Sequence, residues 1–276
     1  MQERKRIVKF AGGCFLATLS VFSYYSDAHT GSFWDISAKM DVKATAIAQE
    51  NPQTLNNELI GLPEDVIENS TQISLYYLDE ENNSVVHPQQ GSGMLVEEIP
   101  GYKVFLTARH VIVSQELNSA SISGIITNRP HFDSGEIIYA ANNIWAFIDK
   151  SKDMGIIIIN DSNYQNKIKI PVSNETNKKL FGITYPDTGV EYPGFIVYKP
   201  TVVAYFSDAE VDQLLPSTFN GASGSVLCNS NGEIDSVVTT VGATSSQDNP
   251  VAYSVKVGDT LQNLLNQASQ ELGVNF

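Results

Sequence analysis

The sequence is poor in cysteine, in positive charge and in long hydrophobic runs. Two cysteines among 276 residues exclude a disulfide framework and a cysteine-rich zinc site. With 17 basic against 31 acidic side chains the formal charge is −14. That balance excludes a broad nucleic-acid surface, because neutralising phosphates needs clustered Lys and Arg. No apolar run reaches the ~20 residues of a spanning helix. Solenoid repeats, heptads and collagen triplets are also missing. What is present is an apolar fraction of 42%, enough for a sizeable core in one large or two fused units.

The first residues read as a targeting signal. Arg4, Lys5, Arg6 and Lys9 form a basic start, and an uncharged run from Phe10 to Phe22 follows. Ser26-Asp27-Ala28 then places small residues at the −3 and −1 positions of a cleavage site before His29. Residues 1–28 are therefore expected to be a removed signal peptide, with a secreted or periplasmic mature protein and no stable membrane span. An uncleaved anchor is the alternative, and Cys14 only faintly resembles a lipoprotein site. Cleavage removes four of the 17 basic groups and two of the 31 acids, Glu3 and Asp27, leaving 13 against 29 and a net charge of −16. Cys228 becomes the only thiol, expected to be buried in its apolar stretch.

Residues 29–70 are polar and irregular, with one short helix expected around Ala38 to Gln49. From Gln72 onward short β-rich runs follow one another, among them Ile73 to Leu78, Ser92 to Val96, Lys103 to Thr107, Ile144 to Ile148 and Met154 to Ile159. A second set includes Leu180 to Tyr185, Phe195 to Phe206, Ser225 to Leu227, Ile234 to Val241 and Val251 to Val257. Turn residues punctuate both sets and no long helix intervenes, so the chain is expected to be an all-β sandwich or barrel. The end differs. Leu261, Leu264, Leu265, Ala268 and Leu272 recur at helical spacing, with Asp259 or Thr260 to cap and Gly273 to stop an amphipathic helix.

The sharpest chemical pattern is Asn220-Gly221-Ala222-Ser223-Gly224-Ser225. A serine between glycines sits on a tight turn that exposes its hydroxyl and aims N–H groups into one pocket. A plain glycine-rich turn would share that pattern, so chain order has to decide. No histidine follows His131, which rules out the serine-before-histidine order of the α/β-hydrolases. Gly91 to Val96 and Val104 to Ile112 read as a hairpin ending in His110, and Asp153 opens the apolar run to Ile159. Asp149 is the rival acid, placed at the end of the preceding strand. Histidine, aspartate, serine on an all-β chain is the chymotrypsin order. His29, His87 and His131 lie in polar or proline-flanked surroundings without ligand spacing, so neither a metal site nor a cofactor is expected.

On these motifs, residues 70–272 resemble the trypsin-like, chymotrypsin-fold serine proteases, bacterial members above all, including the glutamyl-endopeptidase-like group. The resemblance implies two six-stranded antiparallel β-barrels and a C-terminal α-helix over residues 71–272, with a boundary near 160–175. It also implies Ser223 as nucleophile, His110 as general base, Asp153 as the buried acid, and the N–H groups of Gly221 and Ser223 as the oxyanion hole. Ser217 falls near the base of the P1 pocket, and Thr240, Val241 and Gly242 where a substrate backbone pairs. The implied substrates are proteins or peptides.

Three positions depart from the family pattern. Ala222 replaces the Asp or Asn before the nucleophile, so no ion pair to a new N-terminus can shape the oxyanion loop, which must be held some other way or stay partly disordered. Arg109 stands before His110 where a small residue, Lys or Gly is usual, and is expected to be solvated. Val226 stands in place of the usual Pro. No acid is present at Ser217 and no histidine near Thr240, so an uncharged pocket for small or apolar P1 residues is expected. No PDZ domain is expected after the helix, since that would need a further ~90 residues. Two further readings stay open: a pseudoprotease that uses the fold for binding, and a pro-segment or inhibitory arm in residues 29–70.

Overall fold

The computed structural model of the chain describes residues 63–79, 84–113, 121–128, 136–138, 144–149, 151–161, 168–175, 179–185, 196–215, 221–242 and 251–276. The signal segment and the helix expected around Ala38 to Gln49 lie outside them. In chain order the elements are α1 (Glu64–Asn69), β1 (Ser70–Asp79), β2 (Ser84–Ile99), β3 (Gly101–Thr107), α2 (Arg109–Ile112), β4 (Ser121–Asn128), β5 (Glu136–Ile138), β6 (Ile144–Ile148) and β7 (Gly155–Asp161). They continue with β8 (Ile168–Lys169), β9 (Gly182–Thr184), β10 (Ile196–Tyr198), β11 (Thr201–Phe206), β12 (Val211–Leu215), β13 (Val226–Cys228), β14 (Ile234–Gly242), β15 (Val251–Lys256) and α3 (Gly258–Leu272).

All strand pairs within the sheets are antiparallel, and they fall into two units. The first sheet runs β5-β4-β1-β2-β3-β7-β6, with β8 added beside β2. In the second, β11-β12-β15-β14-β13 form a sheet and β9 pairs with β10. Isolated bridges at Lys179↔Thr201 and Phe181↔Cys228 link the segment just before β9 to β11 and β13. This is an all-β, chymotrypsin-like double-barrel architecture with a C-terminal helix, as the motifs imply, although the described strands number eight in the first unit and five plus two in the second where six each were expected.

Local sequence explains the main elements. Ile156 to Ile159 are all fully buried, which a strand achieves only when both its faces are covered; α3 packs against β6 and β7 and supplies part of that cover. The buried stripe of α3 is Leu261, Leu264, Leu265 and Ala268, the spacing that a 3.6-residue period requires. Gly273 ends it with φ 67°, a left-handed turn that glycine enters freely. Neither expected cap is used: Val257 holds the N-cap position, and Asp259 lies in the first turn, where its charge meets the helix dipole.

Three features differ from the sequence reading. Within the segment read as irregular, α1 is helical and sends Val66 into the main core. β2 begins at Ser84 and runs well past both ends of the Ser92 to Val96 stretch. β12 is a strand that no apolar run announces, because its buried period-2 positions are Asp212 and Leu214. Asp212 is tolerable inside the barrel because Lys256 Nζ lies 2.8 Å from its Oδ2 and 2.7 Å from Oδ2 of buried Asp235. Cys228 is buried as expected, and burial holds its thiol far above the ordinary range.

Candidate active site

His110 is presented by the one-turn helix α2, which Val111 and Ile112 pin to the core. Its backbone N–H donates to Asp153 Oδ1 at 2.9 Å, and its Nδ1 lies 2.6 Å from Asp153 Oδ2. A carboxylate only accepts, so Nδ1 is the donor of this pair. Burial pushes the Asp153 carboxyl up, but the His110 hydrogen bonds and charge, joined by Arg109, outweigh that and hold it below its ordinary value. Arg109 is half-buried and contributes to this field, so it is more than a solvated bystander.

Asp149 does something else. Its Oδ1 accepts from the Ser151 N–H at 2.7 Å, the Ser151 hydroxyl at 2.6 Å and the Lys152 N–H at 2.8 Å. The Ser151 hydroxyl is the largest influence holding its carboxyl below the ordinary value. Asp149 therefore closes its own turn.

The Ser223 turn is built from two left-handed glycines, Gly221 at φ 89° and Gly224 at φ 87°. The Ser225 N–H closes the turn on the Ala222 carbonyl at 2.9 Å. The Gly224 N–H reaches the Val238 carbonyl at 2.8 Å, and the Val238 N–H returns to the Ser225 carbonyl at 2.9 Å. A Cβ on Gly224 would stand 2.1 Å from both the Ser92 carbonyl oxygen and Thr107 Oγ1, so only glycine lets the turn lie this close to the β2–β3 hairpin.

That hairpin also draws the His110 and Ser223 segments together, since a Cβ on Gly224 would lie 3.1 Å from the Ala108 nitrogen, two residues before His110. A Cβ on Gly91 would meet Val111 Cγ2 at 2.6 Å and the Ser223 carbonyl oxygen at 2.9 Å. Both His110 and Ser223 are partly exposed. Among the described residues no hydrogen bond joins the imidazole to the Ser223 hydroxyl, a contact that in free enzymes often tightens only when substrate binds. Neither the Gly221 nor the Ser223 N–H is engaged by another group among the described residues.

Thr240, Val241 and Gly242 lie in β14 and pair with Tyr253, Ala252 and Val251 of β15. On the opposite edge, β13 pairs only as far as Val237, so the backbone beyond Val238 has no strand on that side among the described residues. Ser217 and Asn220 lie outside those residues, as do His29 and His131. Sequence reasoning passed over Ser92, Thr107 and Tyr185, which tie the site together; the only signal was the pair of glycines flanking Ser92.

The chain is similar in structure to the serine endoprotease from Yersinia pestis, with a TM-score of 0.51, over 79% of this chain and 67% of that one. The fold is the trypsin-like serine-protease fold. Sequence identity is 19%, so the likeness is one of fold and lends no support to the glutamyl-endopeptidase-like subgroup. No protein-family model matches the sequence, and no curated protein matches it. No helix among the described residues is long and apolar enough to cross a membrane.

Proposed function

We propose that the protein is a serine endopeptidase acting through His110, Asp153 and Ser223. The observation that carries this reading is the two-point hold of Asp153 on His110, with the Ser223 turn docked on the β2–β3 hairpin that leads into His110. In this mechanism Ser223 Oγ attacks the scissile carbonyl while its proton passes to His110 Nε2. The negative oxygen that forms accepts from the Gly221 and Ser223 N–H groups, each worth about 3–4 kcal/mol of transition-state stabilisation. Collapse expels the amine, which takes the proton from His110, and water then hydrolyses the acyl-enzyme by the same route. The chemistry uses side chains and backbone alone.

The open edge at Thr240 to Gly242 suits an extended peptide, which would add as a strand beside the nucleophile. The resemblance assigns Ser217 to the base of the P1 pocket, so that pocket is read as uncharged, favouring small or apolar side chains. Export by the segment 1–28 belongs to the same proposal and makes proteins or peptides outside the cytoplasm the substrates. N-terminal sequencing of the exported protein tests both that cleavage and any removal of residues 29–70.

A second reading, a binding module that has lost catalysis, is favoured by one observation: Ala222 is fully buried and offers no charge to hold the oxyanion loop. A fluorophosphonate probe separates the two. Labelling that requires both His110 and Ser223 establishes the hydrolase; a wild-type protein that resists labelling under all conditions establishes the binding module.

A further inference from the structure

Each of the two residues whose N–H groups would bind the oxyanion gives its carbonyl to one residue, Ser92. The Ser92 hydroxyl donates to the Gly221 carbonyl at 2.8 Å, and the Ser92 backbone N–H donates to the Ser223 carbonyl at 2.7 Å. Ser92 is itself immobilised. It is fully buried in β2, its carbonyl accepts from Thr107 Oγ1 at 2.7 Å, and its hydroxyl accepts the Tyr185 N–H at 2.9 Å. The Tyr185 hydroxyl in turn donates to the Ser70 carbonyl at 3.2 Å, so the chain of bonds ends on the neighbouring strand β1.

We infer that the Ser92 hydroxyl is the positioning group that holds the oxyanion loop in its working shape, in the role that a charge on residue 222 cannot play here. The physical argument is one of peptide planes. Gly221 lies at φ 89°, a conformation with little intrinsic bias for glycine, and Ala222 offers no side-chain bond. The carbonyls of residues 221 and 223 belong to the 221–222 and 223–224 peptide planes. Fixing both to a rigid strand leaves the 222–223 plane, which carries the Ser223 N–H, between two held neighbours, and holds one flank of the plane that carries the Gly221 N–H. A preorganised donor needs no reorganisation as charge develops, which is where such groups act on rate. The backbone half of the clamp survives any substitution at 92, whereas the half acting on Gly221 depends on the hydroxyl alone.

The inference rests on the hydrolase reading, and the test keeps the two apart. In Ser92→Ala, kcat should fall about 10- to 100-fold, up to the loss of one oxyanion donor, with KM within about threefold of wild type. Affinity for a peptide boronate, which mimics the tetrahedral state, should fall by the same factor as kcat/KM. Ser92→Thr, which keeps the hydroxyl, should recover most of the rate. A folded Ser92→Ala with kcat within about threefold of wild type, or one that changes KM alone, overturns the inference. If Ser92→Ala does not fold, amide exchange of wild type decides: the Tyr185 N–H should be protected, and rapid exchange overturns the clamp. Failure of the hydrolase reading shows separately, as hydrolysis that survives Ser223→Ala. The clamp is then judged from the backbone: ¹⁵N relaxation must find the amides of residues 221–223 looser in Ser92→Ala, and unchanged amides overturn it.

Discussion

Asp153 accepts two hydrogen bonds from a single residue, His110, one from its backbone N–H at 2.9 Å and one from its ring Nδ1 at 2.6 Å. The backbone bond sets where the helix turn sits and the ring bond sets which nitrogen faces away. Asp153→Asn keeps the shape but can donate to Nδ1, which favours the wrong tautomer. Its kcat should fall about 10⁴-fold while circular dichroism and KM stay near wild type.

The same bonds give an acid dependence with a definite sign. The Asp153 carboxyl is held below its ordinary 3.8, so its contribution to stability is complete above that value and is lost as pH falls through the lower folded one. The stability difference between wild type and Asp153→Asn should therefore be constant above pH 3.8 and shrink as pH falls below it. Parallel curves across the range would contradict the assignment.

Asp149 provides the control. Since it bonds only within its own turn, Asp149→Ala should lower stability by about 0.5–1.5 kcal/mol and leave kcat/KM within about threefold of wild type. A loss comparable to that of Asp153→Asn would mean that Asp149 serves the imidazole.

Two glycines with positive φ should behave differently. Gly224→Ala forces a Cβ to within 2.1 Å of backbone and hydroxyl oxygens of the β2–β3 hairpin, so it should cost more than about 3 kcal/mol or prevent folding. Gly273, at φ 67° with nothing within 4 Å, should lose only about 1–2 kcal/mol on replacement by Ala. Urea denaturation of both variants makes the comparison.

Lys256 is a single positive charge shared by two buried carboxylates, Asp212 and Asp235, and burial still holds the Asp212 carboxyl above its ordinary value. Lys256→Met removes this shared charge and should destabilise by about 3–5 kcal/mol, with Asp212→Leu added to it recovering part of the loss. Burial pulls the Lys256 ammonium down, but its bonds to the two carboxylates outweigh this and raise it above 10.5. Its contribution is thus present below that pH and lost as pH rises through the higher folded value. Thermal melts should show a sharper alkaline fall in wild type than in the double variant.

How much of this was legible in the sequence depends on the range of the interaction. The isoleucine run of β7, the stripe of α3 and the glycine turn round Ser223 are local patterns, and the period or the required φ can be read directly from neighbouring residues. The order of His110, Asp153 and Ser223 is likewise a property of the chain, and it pointed to the double-barrel fold. β12 escaped because Asp212 reads as a surface residue until Lys256 is seen beside it. The clamp on Gly221 escaped because its partner, Ser92, lies 129 residues away. Composition, turn chemistry and periodicity are set by nearest neighbours and so belong to the sequence alone. Which buried charge finds its counter-charge, and which hydroxyl holds which carbonyl, was decided only by tertiary structure, because those energies exist solely at contact distance and folding alone brings the groups there.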